Sequence, residues 1–355
     1  MDESVQKHLI IPGRTPIAQA TRRIYTRDQQ YTYDRATIDS TGAFLVGQLE
    51  RLDPTLNEPL VEFTWSRDID VREDVSAADE FASWTNSAFA SAGGFTPAGI
   101  NWISNEANAV AGASVDIART AQPLRLWGQE VKYTVPELVK AQKLGMPVDV
   151  QKVEAMQQKF QMDVDQLVYY GDPVIGTTGL LNASVVTPTT AAAVGTGSAT
   201  TFISKTPVQI LADVNLLLTN TWAASGWKVY PNRLLLPPFQ LGYLAATMVN
   251  TAANYSILNF IKQNNICTLN GVELEVFPVK WAIGLGAGGT QGVTGTVDRM
   301  VAYNKNRKYV QFPMTALQRT PLEYRSLWQI TTYWGRIGQV ENRYTAVTMG
   351  YMDGI

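Results

Sequence analysis

Residues that carry chemistry are scarce in this chain. Among 355 residues there is one cysteine, Cys267, and one histidine, His8. A single cysteine excludes an intrachain disulfide and a cysteine-built zinc cluster, and Cys267 reads as a small buried residue. A single histidine in a polar N-terminal stretch leaves a catalytic triad, a two-histidine metal site or a histidine acid/base pair without its parts. Charge is sparse as well, at 17% of residues, against about 25% in an average globular protein. With hydrophobic content at 45%, disorder over most of the chain is excluded. A net charge of −2 lacks the cationic surplus of a general nucleic-acid binder. Long apolar runs are missing too. Leu234 to Val249 is broken by Pro237 and Pro238 and falls short of the ~20 residues of a membrane helix. Met1 to His8 has no apolar signal core. The expectation is a soluble, intracellular protein without a membrane partner, large enough for two domains or one big one at roughly 150 residues each.

Phosphate and nucleophile motifs are also missing. No G-x-x-x-x-G-K-[ST] or G-x-S-x-G string occurs. Gly284, Gly286 and Gly289 spell G-x-G-x-x-G after a predicted strand, but Thr290 to Gly295 offers no helix start to a pyrophosphate. They read as a glycine-rich loop. Asp68 and Asp70 read as a solvated strand face, with no signal of a raised pKa. Asn182-Ala-Ser184 and Asn254-Tyr-Ser256 are glycosylation sequons by pattern only. The sequence therefore presents no catalytic, cofactor-binding or metal-ligating set, and no cofactor is expected. An enzyme reading rests on the Gly284 loop alone.

Aromatics are present throughout, at 10%. Trp84, Trp102, Trp127, Trp222, Trp227, Trp281, Trp328 and Trp334 reach every segment. Rings of that size fill cores or anchor subunit interfaces. Charge is unevenly placed. From Glu50 to Glu80 ten acids face three arginines, a net of −7, and from Arg299 to Arg343 eight bases face two acids, a net of +6. These are two solvated faces, or two surfaces that attract each other across a subunit boundary.

Residues 1 to 45 show no sustained period and read as an extended arm. Val61, Phe63, Trp65, Ile69 and Val71 alternate with polar residues, which predicts a strand over 60–75. A loop is expected over Ala82 to Gly99, and Ile100 to Leu126 holds a β-like run in which Ala107 to Ala113 is equally compatible with helix. Thr134 and Glu137 form a capping box, with Gly145 as the stop. A longer helix starts from Asp149 as N-cap. It carries Val153, Met156, Phe160, Val164 and Leu167 as one stripe and ends at Gly171. Thr187 to Thr201 reads as a low-complexity linker or exposed loop, and as a domain boundary. Thr206, Pro207 and Gln209 open another helix. There follow a strand at Arg233 to Leu236, a helix from Pro238, a helix over Ile257 to Lys262 and a strand within Gly271 to Trp281. β runs at Val301 to Tyr303, Leu327 to Tyr333 and Tyr344 to Met349 close the chain. The order predicts an α+β fold whose last strands return to the first domain.

Tyr169-Tyr170-Gly171-Asp172-Pro173, followed by Gly179-Leu180-Leu181-Asn182 directly after the long helix, resembles the major capsid proteins of tailed bacteriophages. The closing segments Pro321-Leu322-Glu323-Tyr324, Arg336-Ile337-Gly338-Gln339-Val340 and Asp353-Gly354-Ile355 add to the resemblance. Gln339 departs from that pattern, which has glycine there. The resemblance implies a Hong-Kong-97-type fold with an N-terminal arm (1–45), an E-loop hairpin region (46–115), a peripheral domain with a spine helix (116–204 and 321–355) and an axial domain (205–320). It implies a non-enzymatic coat protein of pentamers and hexamers that close an icosahedral shell around double-stranded DNA. The partners implied are copies of itself, a portal, a scaffold or decoration protein, and DNA contacted non-specifically. The place implied is the virion, assembled in the bacterial cytoplasm. An encapsulin-type compartment is the alternative on the same fold. Relatives that weld their shells need an E-loop lysine, and none occurs between Lys7 and Lys132.

Overall fold

The structure, a computed structural model, describes residues 7–8, 19–20, 62–91, 112–144, 148–250, 255–344 and 348–355. The chain divides into two units, Met1–Leu60 and Val61–Ile355. In the first unit β1 (Lys7–His8) pairs antiparallel with β2 (Gln19–Ala20). The rest of the expected arm lies outside the described residues.

The second unit opens on α1 (Trp65–Asp68), a single turn where the sequence predicts a strand, and only β3 (Val71–Arg72) is extended. Trp65 and Ile69 are four apart and both buried, so the same residues that alternate also fit one helical face. The first amides of the turn, Thr64 N and Trp65 N, donate to Asp165 Oδ1 at 2.9 and 3.2 Å, which supplies from another helix the cap that the local side chains do not. Next comes β4 (Phe81–Ser91), an eleven-residue strand where a loop is predicted. It pairs along its whole length with β5 (Ala113–Pro123), inside the β-like run. Small residues such as Ala82, Ser83 and Ser87 look like a loop in isolation, yet in the ribbon they only need backbone pairing. Residues 92–111, including Trp102, lie outside the described set.

β6 (Arg125–Thr134) leads into α2 (Val135–Leu144) through the expected capping box, with Glu137 N donating to Thr134 Oγ1 at 3.2 Å. The spine helix α3 covers Val148–Tyr169, so Asp149 lies in its first turn and is not its cap. Met156, Phe160 and Val164 of the stripe are buried, and Val153 and Leu167 are half-buried.

The Thr187–Thr201 stretch is largely an exposed loop, tied to the fold at Thr189–Ala191. β7 (Thr189–Thr190) is part of a sheet, and Ala191 is buried. α4 (Pro207–Ala224) starts with the full capping box of Thr206 and Gln209. Then follow β8 (Arg233–Leu236), α5 (Pro238–Ala246), α6 (Ile257–Asn264), the short α7 (Ile266–Leu269) and β9 (Glu275–Pro278). The chain closes with β10 (Arg299–Tyr303), β11 (Val310–Pro313), β12 (Gln318–Arg319), β13 (Glu323–Arg325), β14 (Trp328–Ile337), β15 (Glu341–Asn342) and β16 (Met349–Asp353). The last strand begins at Met349, where the expected Tyr344 to Met349 run ends, and residues 345–347 of that run lie outside the described residues.

Besides the β4–β5 ribbon, three sheets organise the described part of this unit. One has the order β7-β16-β10-β8-β9, the second β15-β11-β3, and in the third β14 is flanked by β6 on one side and by β12 and β13 on the other. β10 is central and buried at all five residues. Its alternate side chains feed two apolar clusters, Val301 and Tyr303 beside the spine helix and Met300 and Ala302 beside α4, as a period of two requires.

Candidate assembly surfaces

Among the described residues, the β4–β5 ribbon carries a long strand that its own chain leaves uncovered. Residues 113–121 of β5 are exposed throughout, with Val115 at 56% and Ile117 at 69%. These two sit on one face of the strand. A two-stranded hairpin alone is marginal in water, so this one needs either a firm root or a covering surface. The root is firm. Arg72 Nη1 donates to the Ser83 carbonyl at 3.2 Å and to Glu341 Oε1 at 2.9 Å, and Asn86 Nδ2 donates to the Arg343 carbonyl at 2.8 Å. Arg336 Nε donates to the Ala77 carbonyl at 2.6 Å, and Leu124 N to the Glu80 carbonyl at 2.8 Å. Arg72 also holds Asp74, whose carboxyl is lowered below its ordinary value by that hydrogen bond.

These contacts bring the acidic and basic segments together within one chain. β3 runs parallel to β11, Arg72 pairs with Glu341, and Lys305 lies 3.7 Å from Asp70. Asp68 is not a solvated strand residue. It is fully buried, held by Arg67 Nε and Nη2 at 2.8 and 2.7 Å, and it accepts from the Tyr169 hydroxyl. Burial, followed by the Asp68 charge, pushes the Tyr169 hydroxyl well above its usual pKa. Asp165, also buried, accepts from Trp281 Nε1 at 2.7 Å in addition to the two α1 amides. This hub locks α1 and the 280–282 turn to the spine helix. The only sequence signal for it was an acid set inside an apolar stripe, between Val164 and Val168.

The Gly-Asp and Gly-Leu-x-Asn string turns out to be architecture. Gly171 ends the spine helix at φ +77, where a Cβ would run into the Thr177 carbonyl, and Gly179 packs against the Tyr169 backbone. Asn182 then bridges the two arms of the loop, accepting from Gly179 N and donating to the Tyr170 carbonyl, both at 2.7 Å. That sequon asparagine is therefore committed to the fold. Asn254 lies outside the described residues. Near the C-terminus, Gly338 N donates to the Pro313 carbonyl at 2.9 Å, and a Cβ there would meet the Pro313 ring. Gln339, at the departure from the pattern, is half-buried with no positive φ, so its side chain is tolerated.

The Gly284 loop is turned inward on its own carboxylates. Gly284 N donates to Asp298 Oδ1 at 2.8 Å and Ala287 N to Asp353 Oδ2 at 2.9 Å. The two aspartates take up these amides and, as like charges, repel a phosphate. Asp353 also takes a buried pair from Arg299 at 2.6 Å, and Arg299 reaches the Leu181 carbonyl at 2.9 Å. Cys267 is buried, which pushes its thiol up to about 12. Among the described residues no three His, Cys, Asp or Glu gather at metal-binding distance, and no helix is long and apolar enough to cross a membrane. Of the tryptophans, Trp127 packs edge-on against Phe160, Trp281 belongs to the hub, and Trp227 and Trp328 are exposed.

Residues 99–355 match the family described as major capsid protein. A search of curated proteins gave no match. Among solved structures, the capsid of Myoviridae phage XM1 is similar at TM-score 0.67 and 18% identity, covering 87% of this chain and 98% of that one. The Mycobacterium phage Cain structure follows at 0.54 and 11%, covering 90% and 97%. The holo-SrpI encapsulin complex from Synechococcus elongatus is similar at 0.51 and 12%, covering 88% and 95%. At these identities the likeness is one of fold, and that fold is the Hong-Kong-97 type.

Proposed function

We infer that this chain, which belongs to the major capsid protein family, assembles as pentamers and hexamers into an icosahedral shell around double-stranded phage DNA. It is a capsid shell protein that contacts copies of itself, and its place is the virion capsid. The finer reading assigns 1–45 to an arm, 46–115 to the E-loop region, 116–204 and 321–355 to a peripheral domain and 205–320 to an axial domain. It adds a portal, a scaffold or decoration protein, and assembly in the bacterial cytoplasm.

One observation supports the shell geometry above the others. The β4–β5 ribbon is rooted by arginines on its own subunit and bare along its outer strand, the form of a segment that lies on a neighbour. The encapsulin alternative shares the fold, and the family match favours the phage capsid over it. Absorbance at 260 and 280 nm on purified native particles tests the contents. A nucleic-acid ratio supports the phage reading, and a protein ratio in every filled particle supports an enclosed protein cargo.

A further inference from the structure

Two turns of the second unit are stitched side by side. Asn304 Nδ2 donates to the Tyr230 carbonyl at 2.6 Å, Lys305 N donates to Asn232 Oδ1 at 2.7 Å, and Asn232 Nδ2 reaches the Lys305 carbonyl at 3.4 Å. The first turn follows α4 and is fixed internally by Ser225, whose hydroxyl accepts from Lys228 N and Val229 N at 3.2 and 3.0 Å. It holds Trp227 at φ +63, a conformation unusual for a bulky residue, with the ring 56% exposed. Trp222 lies against both Trp227 and Tyr230, each centroid at 4.5 Å, so the exposed indole is backed by packed rings and does not swing freely.

The charge at these turns is of one sign. Residues 226–232 and 304–311 contain Lys228, Lys305, Arg307 and Lys308 and no acid. Lys305 is engaged by Asp70 and the Arg67 carbonyl. Lys228, Arg307 and Lys308 are exposed and make no ion pair among the described residues. In a protein of net charge −2, three cations outside any ion pair among the described residues, one of them Lys308 over the Tyr309 ring at 5.7 Å, form a local positive surface with the fixed, exposed indole. The carboxylate next to the first turn, Glu275, is matched by Arg233 at 2.8 Å.

We propose that this surface binds the phosphate backbone of double-stranded DNA without reading its sequence. The cations neutralise phosphates, and the Trp227 ring packs against the sugar edge of the backbone. The inference rests on the shell reading for its partner, since the polyanion a phage capsid encloses is the one this surface meets. An acidic segment of a second copy is the competing occupant, and the test separates the two.

The experiment titrates full-length unassembled protein against a fluorescent duplex of about 30 base pairs at salt from 50 to 200 mM, and follows shell formation in parallel by sedimentation. The variant Lys228→Gln, Arg307→Gln, Lys308→Gln changes only exposed side chains, so the subunit is expected to keep its fold. Each lost phosphate contact removes about 0.9 from the slope of log affinity against log salt. The slope is therefore expected to flatten by about 2.7, while shells still form. Trp227→Phe is expected to weaken binding severalfold at an unchanged slope. Wild-type protein that does not bind the duplex, or a triple variant that binds with unchanged slope, overturns the proposal. A triple variant that binds DNA normally but forms no shells also overturns it, and assigns the surface to a second copy. Failure of the wild type itself to form shells counts against the shell reading, a separate outcome.

Discussion

If the ribbon lies on a neighbouring subunit, removing its apolar face should weaken assembly without touching the subunit. Val115→Thr with Ile117→Thr is the cleanest perturbation, because threonine keeps the β-branched shape and strand preference. Ile117 loses two carbons in the exchange and Val115 one, each worth about 0.8 kcal/mol when fully buried. Only the area that the subunit leaves bare can be buried by a neighbour, and that is 69% for Ile117 and 56% for Val115. Scaling by those fractions gives about 1.1 and 0.4 kcal/mol, together about 1.5 kcal/mol for each subunit added to the shell. That corresponds to roughly a tenfold rise in the threshold concentration for particle formation. Light scattering over a dilution series reads the threshold, and a thermal melt of unassembled protein reads the subunit. The melt should stay in place while the threshold moves. An unchanged threshold with an unchanged melt would mean that this face of β5 meets solvent in the shell, and the covering argument would be wrong.

Mature particles boiled in detergent should run as single chains of 39.1 kDa, since no lysine lies between Lys7 and Lys132. A ladder of linked oligomers refutes this. Asp353→Ala leaves the buried Arg299 guanidinium unpaired and should cost about 3–5 kcal/mol in denaturant unfolding. Arg299→Met with Asp353→Leu should recover most of that loss, and a double variant no better than the single one would point to the Gly284 loop contact instead. Cys267 should resist alkylation in native protein at pH 8 and react on unfolding. Because burial raises its pKa from 9.0 to about 12, the folded state keeps a proton that the unfolded state releases. Its contribution to stability is complete below pH 9 and declines as pH rises from 9 toward 12. A stability curve flat across that range would contradict the assignment.

Much of the helical half was legible in the sequence because its signals are local. Thr134 with Glu137, and Thr206 with Gln209, are capping boxes that act within four residues, and both are found as read. The spine stripe is likewise a property of one helix. What was not legible depends on distant partners. β4 contains Ala82, Ser83, Ser87 and Ala88, which have no strand preference of their own, and it is extended because β5 pairs with all eleven of its residues. α1 is a turn because Asp165, 100 residues further on, caps it.

The charge pattern shows the same limit at the level of function. Summed over segments, −7 and +6 suggest two surfaces that seek each other, and they do meet, but through β3 and β11 inside one subunit. Several of these charges are therefore structural. Asp68 is sealed beneath Arg67 and Tyr169, Glu341 is buried between Arg72 and Arg343, and Arg336 holds the Ala77 carbonyl at the ribbon root. Reversing Asp68 to lysine would bury a cation beside Arg67 and Tyr169 with no counter-charge, which unfolds the hub before it tests any contact between subunits. Charges informative about contacts outside the subunit, with a neighbouring copy or with DNA, are the exposed ones that make no ion pair among the described residues, such as Glu73 on the acidic side and Arg307 on the basic side. Counting charges along a sequence cannot separate these from the buried ones, because a carboxylate that is paired and sealed has the same formal charge as one in water.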